Sequence, residues 1–559
     1  MPATTDIQKN KESRQYLLVF GCYWLATFLI YLPAAKAGFV GDFPYWISQI
    51  KTFSFWQFVN TENALTLYHA ERMNVYILYK LLGAHPWLWH LVFISLHAVN
   101  GFLCFRFFKT LFSDSGIQNA ALISFIGAAL FIVCPHASEA VVWDAVNHFL
   151  LTPILIFLIL LYTQKFIKTQ RPAYPFITAA IYFYSSFSLE FFYLTPWLVL
   201  MLLLYYRIVV NADKAIIQKA FARFFIPLIA LFIVHLVLLR VISKTSVSHY
   251  GDMSLGPIRH ILSMPLKYLF HTIFMGRFFS VESRRNVYAF CVHPATVALA
   301  YSILALFWGY TLARVKRVFA TTKTLAWLSG CIFCIYLFMS PLIFPELFVV
   351  VFDRYTYLSN LFTFPFIALL VSTIRFKQAR AAIIGIYMLV NLGLAVRVNS
   401  YWGDSADIIG KLLNNFPDPG NKTVLLLNLP YCFNGVPMIA AHSDSRFKAM
   451  KNALSDHPIN NAIYDVSSYN MNTKNDGAHI FVANDSTINV TLNQWGTWWM
   501  YEMGGALSYE NQDFKVNMVD PGHWYQLTLK KPAEHYLLLY QTGDTWKTVG
   551  WNKKNEDQY

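Results

Sequence analysis

Eleven mostly apolar stretches joined by short basic turns leave this chain few ways to fold outside a lipid bilayer. They run Tyr16–Leu32, Trp87–Phe105, Ala120–Cys134, Phe149–Thr163, Pro175–Ser188, Phe191–Tyr206, Phe224–Val241, Pro294–Leu312, Leu325–Phe344, Leu358–Ile374 and Ala381–Val396. A helix needs roughly 20 apolar residues to cross a hydrocarbon core, and fewer where it is broken or the bilayer thins. Of 559 residues 56% are hydrophobic and only 13% are charged, which excludes an ordinary soluble domain. The expectation is a multi-pass integral membrane protein.

Lys and Arg set its orientation. Lys9, Lys11 and Arg14; Arg106 and Lys109; Lys165, Lys168 and Arg171; Arg207, Lys214, Lys219 and Arg223; Arg314, Lys316, Arg317 and Lys323; and Arg375, Lys377 and Arg380 fall in alternate turns. Those turns are assigned to the cytoplasm, with the amino terminus inside and the segment after Val396 outside. The first span has no small-residue cleavage site and reads as a permanent anchor. The net charge of +14 is then mainly a topology signal that also suits anionic lipid heads. Basic residues scattered over short turns do not make a nucleic-acid surface.

Two outward loops exceed what a helix connection requires. Pro33–Pro86 contains the aromatic stretch Tyr45–Phe58, expected as interfacial helix with Trp46 and Trp56 at headgroup level. Ser243–His293 contains an amphipathic piece, Ile261–Phe274, followed by Arg277, Arg284 and Arg285. Beyond Arg397 the apolar runs shorten, and Val424–Leu429, His479–Asn484, Thr487–Leu492, Phe514–Met518, Tyr525–Leu529 and His535–Tyr540 read as strands. The expected architecture is an all-α polytopic membrane part, residues 1–397, followed by a β-rich extracytoplasmic domain, residues 398–559. Six of seven cysteines lie in or near spans, leaving Cys432 alone in the tail without a disulfide partner.

The residues that can carry chemistry gather at outward ends. Asp42 follows the first span, where a carboxylate can face both water and a lipid-borne substrate; it can equally be a solvated acid or a helix cap. His90 and His97, seven residues apart, share a helical face. Glu139 and Asp144 occupy a turn without a basic residue, and Glu190 interrupts two apolar runs. A carboxylate near membrane depth costs about 2.5–3.5 kcal/mol on insertion scales, so each needs a partner or a task. Arg354 can grip phosphate through its fork, or pair with Asp353 to anchor a helix end. No single stretch has metal-ligand spacing apart from Cys331-Ile-Phe-Cys334, which reads as helix packing, and no Walker or dinucleotide loop occurs. Neither a metal nor a nucleotide cofactor is expected.

His69-Ala70-Glu71-Arg72-Met73-Asn74, Gly83, His85-Pro86, His90 and His97 come in that order. Pro135, Glu139-Ala140-Val141-Val142-Trp143, Glu190, Arg354-Tyr355-Thr356-Tyr357-Leu358, Asn399 and Trp402 follow. Together they resemble the membrane part of GT-C glycosyltransferases related to the tetratricopeptide-bearing protein O-mannosyltransferases. The resemblance implies a polyprenyl-phosphate sugar as donor, an extracytoplasmic glycan, lipid or protein as acceptor, and Asp42 as catalytic base. It implies that Arg72, His90, His97, Glu139, Glu190, Arg354 and Tyr357 line the donor and acceptor cavity. The chain departs from the family at Phe43, Leu189 and Asp353, and it lacks the tetratricopeptide tail. A lipid or glycan transporter and a surface-polysaccharide polymerase are the rival readings.

Overall fold

The computed structural model describes residues 3–41, 43–60, 69–188, 190–243, 258–314, 316–340, 352–439, 445–455, 458–492, 497–499, 508–520 and 524–551. Among them nine helices are long and apolar enough to cross a membrane. These are Ser13–Lys36, Pro86–Asp114, Asp144–Thr169, Phe191–Ile208, Lys214–Ile242, Pro294–Ala313, Ala320–Met339, Asp353–Ser372 and Lys377–Asn414. The protein is thus a multi-pass membrane protein with a β-rich C-terminal region.

Three expected spans take other forms. The run Ala120–Cys134 ends as a helix at Ile132 and resumes as Pro135–Val142 after a 56° bend. Pro135 supplies no backbone N–H and holds Cys134 extended, so the helix cannot continue straight. The helical part of Pro175–Ser188 belongs to a helix of only 13 residues, Ala173–Ser185. At 1.5 Å per residue it measures about 20 Å, short of the roughly 30 Å core. The Ser185 and Ser186 hydroxyls donate to the Tyr182 and Phe183 carbonyls and close its last turn. Finally, Lys377–Asn414 is one helix of 38 residues that passes straight through the expected boundary at 397/398.

The helix Pro86–Asp114 is the spine of the membrane part. Proline at its first turn is preorganised for helix and lacks only an N–H that would have no partner. It packs between Ala3–Tyr31, Ala120–Ile132 and His148–Thr169. At Gly127 a Cβ would lie 2.7 Å from the Pro365 Cα, so glycine is what lets Ala120–Ile132 and Tyr357–Ser372 touch. Between Tyr31 and Pro86, Tyr45–Phe58 forms two short helices, Phe43–Thr52 and Phe55–Asn60, followed by His69–Leu82. Trp56 is 70% exposed as an interfacial anchor should be, but Trp46 is half-buried against protein, under the Arg72 guanidinium.

Among its described residues the C-terminal region builds three sheets. One has the order Thr545–Thr548, Tyr536–Thr542, Thr423–Leu426, Ile463–Asp465, with Thr423–Leu426 parallel to both neighbours. The second is an antiparallel five-stranded sheet ordered Ala478–Asn484, Thr487–Leu492, Trp524–Leu529, Phe514–Asp520, Ser508–Glu510. Alternation explains its inner face: Tyr525, Leu527 and Leu529 are buried while Trp524, Gln526 and Thr528 are half-exposed. The third pairs Val436–Pro437, Leu429–Phe433, Ser467–Met471 and Thr497–Trp499. A helix, Arg446–Leu454, completes the region and lies against Phe43–Thr52.

Hydrogen bonds to backbone carbonyls fasten this region to the membrane part. Gly41 N–H donates to the Met438 carbonyl at 2.9 Å, Lys51 Nζ to the Ala453 carbonyl at 2.8 Å, and Trp546 Nε1 to the Leu412 carbonyl at 2.8 Å.

Candidate functional site

Ionisable side chains collect where the turn 135–146, the loop segment 258–292 and the start of Asp353–Ser372 meet. Asp353 opens a 3₁₀ turn, Asp353–Thr356, that leads into helix Tyr357–Ser372, and it is fully buried. Its Oδ1 is 2.8 Å from His136 Nδ1 and 2.7 Å from His271 Nε2. Arg277 Nη1 donates to Oδ2, while Arg277 Nη2 reaches the Asn434 carbonyl of the C-terminal region at 3.1 Å. An ionised carboxylate only accepts, so both imidazoles present N–H to it. Burial, helped by the neighbouring His136 and opposed by Asp353, pushes the His271 imidazole down to about 4. It is therefore neutral near pH 7. His136 Nε2, on the other side of its ring, has no hydrogen-bond partner.

Next to this centre stands a second ion pair. Glu139 is buried and engages Arg354 twice: through the Arg354 backbone N–H on Oε2 at 2.9 Å and through Nη1 on Oε1. The guanidinium carbon lies 4.8 to 5.0 Å from the ring centroids of Trp143, Phe352 and Tyr355. A carboxylate on one side and three aromatic faces around it fix Arg354 in place. Its partner is thus Glu139 rather than Asp353, which holds Arg277 instead.

Trp143 joins this pair to the first loop. Gly41 has φ +63°, and a Cβ there would come 3.0 Å from Trp143 Cζ2, so the backbone crosses the indole at a place open to glycine alone. Asp42, the next residue, lies outside the described residues, as does the Glu190 side chain. Beside Trp143 several buried side-chain groups stand without partners. Asp144 is fully buried, and among the described residues no neighbour bonds its carboxylate, which has only its own backbone N–H beside it; Trp143 Nε1 and Asn147 Oδ1 also lack partners there.

The remaining expected residues divide by depth. His90 Nε2 meets the Ala37 carbonyl at 2.9 Å and fixes the spine helix to the chain just before Gly41. His97 Nδ1 and Tyr357 Oη are 2.7 Å apart, and Asn100 Nδ2 donates to the same hydroxyl at 3.2 Å; these three are enclosed in the helix core. Arg72 donates to Gln49 at 3.0 Å and sits over the Trp46 and Phe58 rings. Its neighbour Glu71 bonds His148 Nδ1 at 2.7 Å. Asn399 and Trp402, far along the chain, converge on Ser138 beside Glu139. The fold therefore joins Glu139 with Arg354 and His97 with Tyr357, and leaves Arg72 among the first-loop helices.

Sequence reasoning did not single out His136 or His271, and for Asp353 it expected a partner or a task without saying which, with the anchoring of a helix end as the alternative. The signal available was that all three are ionisable residues in otherwise apolar surroundings. His136 Nδ1, His271 Nε2 and an Asp353 oxygen lie within 4.8 Å of one another, which makes them the group among the described residues that could hold a divalent cation. The sequence gave no such expectation because the three come from separate stretches. To bind a cation both rings must give up the protons they share with Asp353, and Arg277 must yield. Hydrogen bonding and metal binding at this place are alternatives.

No protein-family model matches the chain, and none of the curated proteins matches it. Among solved structures it is similar to the oligosaccharyltransferase of Archaeoglobus fulgidus in the apo form, at 12% identity with a TM-score of 0.38. The likeness covers 74% of this chain and 62% of that one, so the chain spans less than two thirds of that enzyme. So shallow a likeness assigns neither a family nor an activity.

Proposed function

We propose that the protein is a membrane glycosyltransferase of the GT-C type, moving one sugar from a polyprenyl phosphate to an acceptor on the outer side of the membrane. The observation that supports this reading is the convergence of Gly41, Trp143, the unpartnered Asp144 and the Glu139–Arg354 pair at one end of apolar helices. Ionisable groups at that depth are retained where they bind or react. Orientation follows from the basic turns: the amino terminus is cytoplasmic and the C-terminal region is outside, where it takes part in acceptor recognition. The donor is already energised in the membrane, so no nucleotide is required.

In the reaction the acceptor oxygen attacks the anomeric carbon, the bond from that carbon to the phosphate oxygen breaks, and polyprenyl phosphate leaves with the electron pair. Asp42, the residue after Gly41, takes the acceptor proton. A positioned base of this kind supplies about 10²–10⁴ in rate. Arg354 orders the site through Glu139 and the aromatic rings. Asp144, which no neighbour among the described residues bonds, is better placed than the engaged Glu139 to be a second acid.

The test is release of free polyprenyl phosphate from labelled donors by purified protein in lipid. Asp42→Asn keeps the shape but cannot take a proton, so turnover falls by about two to four orders of magnitude at unchanged stability. Near-wild-type turnover in that variant removes Asp42 as base. A wild type inactive with every donor in a broad panel returns the protein to the transporter reading.

A further inference from the structure

The loop segment 258–292 holds more buried positive charge than its surroundings balance. Arg277 precedes the helix Val281–Val292 and Arg284 lies in that helix; they are 7% and 6% exposed. Arg277 has an anionic partner in Asp353. Arg284 has none. Its Nε and Nη1 are buried without a hydrogen-bond partner, and so is Arg277 Nε.

Among the described residues, the groups that act on Arg284 electrostatically are Tyr288, Arg277, Asp353 and Cys432. Burial holds the Tyr288 phenol above its ordinary range and lifts the Cys432 thiol to about 12, so neither is an anion near neutral pH. Asp353 is already engaged by Arg277, His136 and His271. Lys267, also buried, lies with Nζ 5.9 Å from the Tyr288 ring centroid. A guanidinium stays protonated in proteins, so the surplus is permanent. A buried charge without a counterpart is strongly unfavourable, and buried donors without acceptors are rare. What the place lacks is an anion, and its surplus charge works against a further cation.

We infer that Arg277 and Arg284 form a phosphoryl-binding site, in which Arg284, through Nε or Nη1, and Arg277, through Nε, donate to the oxygens of a phosphate ester or free phosphate. The two unbonded groups of Arg284 lie on different edges of its guanidinium, so each guanidinium contributes charge-assisted N–H bonds singly. Arg354, tied to Glu139, is less available for this task. Naming the headgroup of a polyprenyl phosphate as the source rests on the glycosyltransferase reading; the site itself does not.

The full chain in lipid nanodiscs is heated with increasing inorganic phosphate, or with farnesyl phosphate, at fixed ionic strength. In the wild type the unfolding midpoint rises and saturates with at least one probe. Arg284→Gln raises the half-saturating concentration about 30-fold or more, as expected for loss of a buried charged partner. Arg285→Gln, the same charge change on the exposed neighbour, leaves it unchanged. Without phosphate Arg284→Gln is at least as stable as the wild type, because an unpaired buried charge has been removed. If that variant does not fold, Arg284→Lys, which keeps the charge and loses the fork, gives the same comparison of half-saturation. Farnesyl phosphate saturating at much lower concentration assigns the site to a lipid headgroup, and equal concentrations assign it to free phosphate. No rise with either probe, or equal rises in wild type and the Arg284 variant, overturns the site. Sugar transfer is measured in parallel: a wild type that binds phosphate but transfers nothing sinks the enzyme reading and keeps the site, whereas transfer without any phosphate effect does the reverse.

Discussion

The Asp353 centre and the stretch Trp143–Asn147 are both buried, polar and set at the same end of apolar helices, yet their hydrogen bonding is opposite. At Asp353 both carboxylate oxygens are taken, by two imidazoles and a guanidinium. At Asp144 no neighbour among the described residues bonds either oxygen, and an indole N–H and an amide oxygen beside them are in the same condition. A buried polar group without a partner costs about 1–3 kcal/mol. The fold surrounds one carboxylate with donors and leaves its neighbour without them: Asp353 holds three chain segments together, and Asp144 holds none.

The sharpest way to break this comparison is Asp353→Ala. It strips Arg277 of its anion, so unfolding stability falls by about 3–5 kcal/mol in a denaturation experiment on protein in lipid. Asp144→Asn goes the other way. With no partner to lose, it leaves stability unchanged or raises it by up to about 3 kcal/mol, while sugar transfer by the same preparation declines. If Asp144→Asn were as damaging to stability as Asp353→Ala, the two places would be one scaffold and the distinction would collapse. The smallest effect is expected at the rim, where Lys474 pairs with Asp404 at 2.6 Å and both are well solvated. Lys474→Ala leaves the unfolding midpoint unmoved, as exposed pairs generally do. A measurable drop there would mean that the C-terminal region is held by its surface charges as well as by its hydrogen bonds to backbone carbonyls.

Much of the membrane part is legible in the sequence because lipid imposes one simple demand, a long apolar helix. The bend at Pro135 and the short helix Ala173–Ser185 escape that rule, since proline and serine chemistry acts within a few residues and hydropathy averages over many. In the C-terminal region Thr487–Leu492 has the expected ends, and Tyr525–Leu529 starts one residue earlier, at Trp524. Ser467–Met471 was missed because all five residues are buried and no alternation survives to be read. The site divides in the same way. Ionisable residues in apolar turns drew attention to Glu139, Asp144 and Arg354 one by one. Their pairing did not show, because Glu139 and Arg354 lie 215 positions apart and His136 and Asp353 lie 217 apart. Arg354 beside Asp353 in sequence suggested a neighbourly pair, whereas adjacent side chains in a helical turn point apart and each found a distant partner.

The unbroken helix Lys377–Asn414 gives the molecule an angular key. At 38 residues it is about 57 Å long, against roughly 30 Å of hydrocarbon, so nearly half of it continues beyond the bilayer core and leads into the sheets. A continuous helix transmits rotation as faithfully as length: inserting one residue between Val396 and Asn414 turns everything after it by about 100° and advances it by about 1.5 Å. Such a turn swings Met438 away from Gly41 and Asn434 away from Arg277, two contacts that meet the site from the C-terminal side. The phase of this helix, more than the composition of the sheets it carries, decides whether the C-terminal region faces Gly41 and Arg277 or looks past them.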